Sequence, residues 1–269
     1  MEQACFFGET IRSKDNPKIK LYKKLVSLKK ERYRYRLFTL EGSRLVFDAV
    51  SSGAKIEQIY VSESAVEKYI GELEQLPDEI KVSIISDDIG KSISATENTQ
   101  GIFAQCRFGD NTSVCGKIKS GGRYAVLYRL QDPGNAGMII RTADALGLDG
   151  VIFCESCDVY NPKVVRATMG SMFRIPVFRD VNEDELFSAL SDAGVKSYAA
   201  VVDENVADVK SMDFKNGGAV FIGNEGNGLN EAVTAKCSGR ITVRMNGNTE
   251  SLNAAMAAGI IMWELIRGE

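Results

Sequence analysis

The 269-residue chain contains no histidine. That absence removes several function classes at once. A Ser-His-Asp triad, an H-E-x-x-H zinc site and a histidine general base all need the imidazole. Any proton transfer must fall to Arg, Lys, Asp, Glu, Tyr, Cys, Ser or the substrate itself. No apolar run approaches the length of a membrane span, and the start Met1-Glu2-Gln3 is too acidic and polar for a signal peptide. A cytoplasmic protein is expected. There is no internal repeat and no low-complexity tract. The six cysteines (Cys5, Cys106, Cys115, Cys154, Cys157, Cys237) are scattered, which suggests reduced thiols rather than a disulfide framework. Cys154-Glu155-Ser156-Cys157 is a C-x-x-C, but the other half of a zinc site is missing. It reads as incidental, and no metal is expected.

What remains is an ordinary globular composition, 44% hydrophobic and 26% charged. The net charge of −3 hides an asymmetry. Residues 11–36 hold eleven basic side chains against Asp15 and Glu31, a local +9, so everything else carries −12. A concentrated basic segment on an acidic body points to a polyanionic partner. Asn16-Pro17 opens a helix, with Pro17 in its first turn. Ile19, Leu21, Tyr22, Leu25, Val26 and Leu28 follow near helical spacing, so one basic helix is expected over 16–36. A merely solvated helix is the bland alternative. Tyr33 and Tyr35 among arginines favour nucleic-acid contact.

Short alternating elements come next. Strands are expected at 37–40, 56–61, 82–85 and 102–106, with helices at 42–51, 65–75 and 87–94. Glu41-Gly42-Ser43-Arg44 sits at a strand-to-helix turn, where an arginine can hold a phosphate. Residues 108–123 have linker composition, so the domain boundary falls there: an N-terminal domain over 1–107 and a second over 124–269. In the second, strands at 124–130, 150–154, 174–178, 195–202, 219–222 and 240–243 alternate with helices at 138–146, 163–169, 183–191 and 254–266. That alternation implies an α/β fold with a parallel sheet covered on both faces.

The last fifty residues concentrate the candidate chemistry. Phe221-Ile222-Gly223-Asn224-Glu225-Gly226-Asn227-Gly228-Leu229 runs an apolar strand into a glycine loop. Val243-Arg244-Met245-Asn246-Gly247-Asn248-Thr249-Glu250-Ser251-Leu252-Asn253 repeats the plan before the final helix. Glycines let backbone N–H groups approach a ligand. Two such loops on one edge of a parallel sheet form a small-molecule site. Glu225 marks a turn or fixes site geometry. Ser251 is first an N-cap candidate, and Asn253 caps or binds a ligand. Asn135 lies in the expected loop 132–137, six residues before Arg141. Arg141 either grips a phosphate or lies on a helix surface. The Ala/Gly side of 254–266 suits a core or a dimer face. Asp203-Glu204, after a strand, offers a weaker dinucleotide-type reading.

Three segments together resemble a known family: Asp132-Pro133-Gly134-Asn135-Ala136-Gly137 with Arg141-Thr142-Ala143, the Phe221–Leu229 stretch, and Met245 with Glu250-Ser251-Leu252-Asn253 and Ala257-Ala258-Gly259-Ile260. In order and separation they look like the three motifs of the SpoU, or TrmH-like, branch of the SPOUT RNA methyltransferases. The N-terminal part resembles the L30e-like RNA-binding domain that many members carry. The resemblance implies S-adenosylmethionine-dependent methylation of a ribose 2′-hydroxyl in structured RNA, with ribosomal RNA, 23S in particular, favoured over transfer RNA. An inactive RNA-binding relative is the alternative. It also implies a C-terminal deep trefoil knot and a homodimer built through it.

By motif match, Arg141 is the catalytic arginine, with Asn135, Glu225, Ser251 and Asn253 as its active-site companions. Gly223, Asn224, Gly226, Val243, Met245 and Leu252 would cradle the cofactor. Arg12, Lys14, Lys18, Arg34 and Arg44 are expected on the RNA. The chain departs from the pattern at Arg244, where members commonly have proline, and at Ser171, where alanine is usual.

Overall fold

The computed structural model describes residues 8–247 and 249–267. Cys5 therefore lies outside the described residues. The chain divides into two compact units. One comprises residues up to Gly109 together with Tyr160–Phe173; the other comprises Asp110–Val159 and Arg174 onward.

The first unit begins with β1 (Thr10–Ile11), then α1 (Pro17–Ser27) and α2 (Lys29–Tyr35). Asn16 caps α1 by accepting from the Lys18 N–H, with Pro17 following it. Ile19, Tyr22 and Leu25 form the buried stripe. The single helix expected over 16–36 is broken, because Leu28 is extended (φ −121°, ψ 110°). Arg32 then folds back, its Nη1 donating to the Leu25 carbonyl at 2.7 Å and the Val26 carbonyl at 3.3 Å. It occupies carbonyls at the end of α1 and is only 3% exposed. One of the eleven basic side chains is thus a structural cap.

β2 (Leu37–Glu41), α3 (Ser43–Ser51), β3 (Ile56–Ser62), α4 (Glu63–Val66), α5 (Ile70–Leu73), β4 (Lys81–Ile85), α6 (Asp87–Ile93) and β5 (Ile102–Arg107) complete this unit. The expected helix over 65–75 is split between α4, a 3-10 turn and α5. Strand order is β1-β4-β3-β5-β2. β1, β4 and β3 run parallel, while β5 is antiparallel to both neighbours. Tyr22, Tyr60 and Phe103 centre the core, with Tyr22 edge-on to both other rings.

Residues from the middle of the chain join this unit. Tyr160 stacks on Phe108 (3.9 Å between centroids) and on Phe38 (4.6 Å), and its hydroxyl accepts from the Gly109 N–H. α8 (Pro162–Ala167) packs against β2. The segment 160–173 therefore leaves the second domain in which the expected boundaries put it.

The second unit contains β6 (Arg123–Tyr128), α7 (Pro133–Ala145), β7 (Gly150–Cys154), β8 (Val177–Phe178), α9 (Glu183–Asp192), β9 (Ser197–Ala200), β10 (Ala207–Asp208), β11 (Gly218–Ile222), α10 (Glu231–Lys236), β12 (Gly239–Thr242) and α11 (Ala254–Ile266). The sheet is parallel throughout, in order β10-β12-β9-β11-β6-β7-β8. Tyr124, Val126 and Tyr128 pack with Leu186 and Leu190 of α9 and Val233 of α10. β6 residues alternate between faces, and α7 and α11 cover the other one.

Two expectations need correction. Residues 110–122 are stitched down, not a free linker. Val114 is fully buried in this core, its N–H donates to Glu185 at 2.8 Å, and the Lys119 N–H donates to the Tyr124 hydroxyl. The helix expected from 138 also starts earlier. The Asp132 side chain accepts from the Asn135 N–H at 2.8 Å and Pro133 opens the first turn. Asn135 is therefore helical, and buried, instead of lying in a loop.

Candidate active site

The loops after β11 and β12 and the end of β9 enclose a cavity of about 420 Å³, within the range of cofactor sites. Gly223, Asn224, Glu225, Gly226, Val243, Met245, Ser251 and Leu252 all line it. Every cofactor residue expected from the motifs is therefore on its wall. Ile222, Ile241, Ala257 and Ile261 supply apolar surface.

The glycine loop closes on itself. Asn224 and Gly228 exchange both backbone hydrogen bonds, at 3.1 and 2.9 Å. The Asn224 side-chain oxygen accepts from the Gly226 and Asn227 N–H groups, and its amide donates to the Arg129 carbonyl. Gly223 cannot carry a side chain, because a Cβ there would lie 2.4 Å from the Gly228 carbonyl carbon. Gly228 has φ +63°, which a glycine adopts without strain.

A polar relay joins the three motif segments at the edge of this cavity. Glu225 Oε1 accepts from the Asp132 N–H at 2.9 Å and from the Asn135 side-chain amide at 3.1 Å. Its Oε2 accepts from the Gln131 N–H at 3.1 Å. Asn135 Oδ1 in turn accepts from the Asn253 side-chain amide at 2.9 Å. Asn253 Oδ1 accepts from the Ala255 and Met256 N–H groups. Asn253, not Ser251, is the N-cap of α11. Burial alone would raise the Glu225 carboxyl, but its donors from Asn135, Asp132 and Gln131 more than offset that and hold its pKa below the usual glutamate value.

Arg141 does not line the cavity. It is exposed on α7, three residues beyond Met138, which is also exposed. Arg12, Lys14, Lys18, Arg34 and Arg44 are all exposed on the first unit. Arg12 already pairs with Glu63 at 3.5 Å and Lys18 with Glu9 at 2.6 Å. Asp203 is held by Arg240 at 3.1 Å and, with Glu204, lines a neighbouring recess of about 340 Å³. Neither acid lines the main cavity, which removes the basis of the dinucleotide reading. Arg244 donates to the Glu204 carbonyl at 3.4 Å and lies 3.9 Å from Asp208, so it ties down the segment beside that recess. Cys154 and Cys157 are free thiols, each pushed up to about 12 by burial. Ser171 is buried in a 3-10 turn of the first unit.

Sequence reasoning missed Val201 and Val202, Thr242 and Ala254 on the cavity wall. Val201, Val202 and Thr242 lie at strand ends and Ala254 opens α11, but which strand lies between β11 and β12 is a matter of sheet order.

Residues 122–263 match the SpoU rRNA methylase family. This chain belongs to that family. Residues 16–104 match an MRM3-like substrate-binding domain. Among curated relatives, a 23S rRNA (guanosine(2553)-2′-O)-methyltransferase, RlmP, of Bacillus subtilis is 33% identical over 260 residues, covering 95% of this chain and 98% of its own. An AdoMet-bound rRNA methyltransferase from Sinorhizobium meliloti has the same fold at TM-score 0.85 and 31% identity, covering 96% of this chain and 97% of that one. The SpoU methyltransferase AviRb from Streptomyces viridochromogenes, in complex with AdoMet, aligns at TM-score 0.85 and 27% identity, covering 94% and 98%. The apolar walls and main-chain rim of the cavity also fit an adenosine-containing cofactor.

Proposed function

We propose that this chain methylates a ribose 2′-hydroxyl in structured RNA, 23S ribosomal RNA, using S-adenosylmethionine held in the cavity between the β11 and β12 loops. The observation that carries the reading is the relay Glu225–Asn135–Asn253, which locks all three motif segments beside that cavity. The cofactor supplies a methyl group made electrophilic by its sulfonium. Gly223, Asn224, Gly226, Val243, Met245 and Leu252 bind it, and Glu225 with Ser251 fixes the polar side of the site. Arg141 stays protonated and cannot act as a simple base. It grips the phosphate beside the target ribose and stabilises charge developing on the attacking oxygen. Positioning then carries most of the catalysis, which agrees with a chain that has no histidine.

The proposal includes the family's trefoil knot and a homodimer. Met256 and Trp263 on α11 are 55% and 54% exposed, and Met138 is exposed on α7. The two helices pack together, with Gly259 close to Thr142. Ala255 and Ala258, with Ile261, Met262 and Leu265, are thus used inside the chain, and Met256 and Trp263 are the side chains left for a partner. Arg141 lies one turn from Met138, on the face such an interface would use.

The test is Arg141→Ala, assayed in parallel for methyl transfer to ribosomal RNA and for cofactor binding by calorimetry. Transfer should be lost with binding largely retained. Unchanged transfer would overturn the role given to Arg141, and failure of the unaltered protein to bind the cofactor would overturn the whole reading.

A further inference from the structure

The first unit has a cavity of its own, about 370 Å³, lined by Ser62, Ser64, Lys68, Asp87, Lys91, Thr99 and Gln100 with Ala65 and Gly101. It sits at the carboxyl ends of the parallel strands β3 and β4, where ligands commonly bind in open α/β sheets. The start of β5, antiparallel to β3, closes the same edge. Gln100 Oε1 accepts from the Ser43 N–H at 2.8 Å, which joins this rim to the turn carrying Arg44.

Two features mark the cavity as a place for a ligand. First, Lys68 and Lys91 are exposed and neither is in an ion pair among the described residues, whereas Arg12, Lys18 and Lys20 are paired with Glu63, Glu9 and Asp15. The Lys68 ammonium lies 5.0 Å from the centre of the Tyr69 ring, a contact that leaves its charge unneutralised. Second, Asp87 is divided in its use. Its Oδ1 accepts from the Ser64 N–H at 3.1 Å and hydroxyl at 2.7 Å, while Oδ2 has no hydrogen bond among the described residues. The Ser64 bonds keep the carboxyl below its usual range, so it stays anionic.

Two lysines beside a carboxylate do not describe a site for a free anion, which Asp87 would repel. They suit a group that joins an anion to a hydroxyl donor. We infer that this cavity holds one ribose–phosphate unit of the RNA backbone, with the phosphate on Lys68 and Lys91 and the 2′-hydroxyl donating to Asp87 Oδ2. The 2′-hydroxyl is what separates RNA from DNA at such a contact. This inference rests on the RNA reading above and deepens it by placing a backbone subsite away from the expected Arg12, Lys14, Lys18, Arg34 and Arg44.

The experiment measures binding of deproteinised 23S ribosomal RNA over a range of salt concentrations for the unaltered protein, Lys68→Ala/Lys91→Ala and Asp87→Asn. The double lysine variant should bind about tenfold more weakly at moderate salt, with a log–log salt slope shallower by about 1. Its affinity for S-adenosylmethionine should not change. Asp87→Asn keeps an oxygen for Ser64 but loses the anionic acceptor, so it should narrow the preference for an RNA oligonucleotide over DNA of the same sequence. Unchanged RNA affinity and slope in the lysine variant, while the unaltered protein binds RNA, would overturn the subsite alone. No RNA binding by the unaltered protein would instead overturn the underlying reading. A heat-stability shift by millimolar inorganic phosphate at constant ionic strength, lost in the lysine variant, would assign a free-phosphate site and overturn the backbone assignment.

Discussion

Asn253 donates its side-chain amide to the side-chain oxygen of Asn135 at 2.9 Å across 118 residues of sequence. Neither amide can turn over. The Asn253 oxygen is committed to two N–H groups at the start of α11, so its nitrogen must face Asn135. The Asn135 oxygen is then the acceptor, and its nitrogen meets Glu225. A helix N-terminus at one end and a carboxylate at the other fix the polarity of the chain between them. Replacing Asn135 with alanine cuts this relay in the middle. Methyl transfer should fall about 100-fold or more, because misplacement of reacting groups is costly. Single-turnover rates check this, with calorimetry confirming that cofactor affinity is largely kept.

The relay also sets a pH dependence. The Glu225 carboxyl is held below its ordinary value in the folded chain. A group depressed in this way contributes stability above its unfolded pKa, near 4.3 for a glutamate, and loses it as pH falls through the folded value. Glu225→Gln removes that contribution and turns an N–H group toward a donor. The melting temperatures of the two proteins should differ near neutral pH, begin to converge below about pH 4, and meet only below the depressed folded value.

Much of this arrangement is legible in the sequence, for physical reasons. The glycine loop at Gly223–Gly228 announces itself, since three glycines after an apolar strand have few other uses. β7, α11 and β2 to β5 of the first unit follow from periodicity, whereas the two-residue β1 is too short to show any. Other features depend on contacts far away in sequence. Asp132 and Pro133 are a cap and first helical turn, but Gly134 and Gly137 beside them read as loop. One buried residue, Val114, converts a linker-like stretch into part of a core, and a lone apolar side chain has no period to detect. Ser251 and Asn253 are equally plausible caps until the backbone shows which one reaches Ala255. The placement of 160–173 with the first unit rests on aromatic stacking that no local pattern encodes.

Arg32 offers a test of structural against RNA-binding charge. Arg32→Met keeps an apolar stem and removes the guanidinium from the Leu25 and Val26 carbonyls. Chemical denaturation should show a loss of about 2–3 kcal/mol, since hydrogen bonds to charged groups are the stronger ones. Lys30→Ala, at an exposed position nearby, should stay within about 0.5 kcal/mol of the unaltered protein.

Tyr160→Ala removes a ring stacked on both Phe108 and Phe38. The expected loss is about 3–5 kcal/mol, the usual range for emptying a buried aromatic site. Tyr160→Phe keeps the ring and removes the hydroxyl that accepts from the Gly109 N–H, so it should cost about 1 kcal/mol. Denaturation curves for the pair separate stacking from hydrogen bonding.

The most direct measurement is mass-spectrometric mapping of 23S ribosomal RNA after incubation with the purified protein and S-adenosylmethionine carrying a deuterated methyl group. The RNA should come from cells lacking the gene. The account predicts deuterated methyl on a ribose 2′-oxygen at a defined nucleotide, absent when Arg141 is alanine. Label on a base, or no label on RNA while the cofactor binds, would contradict it.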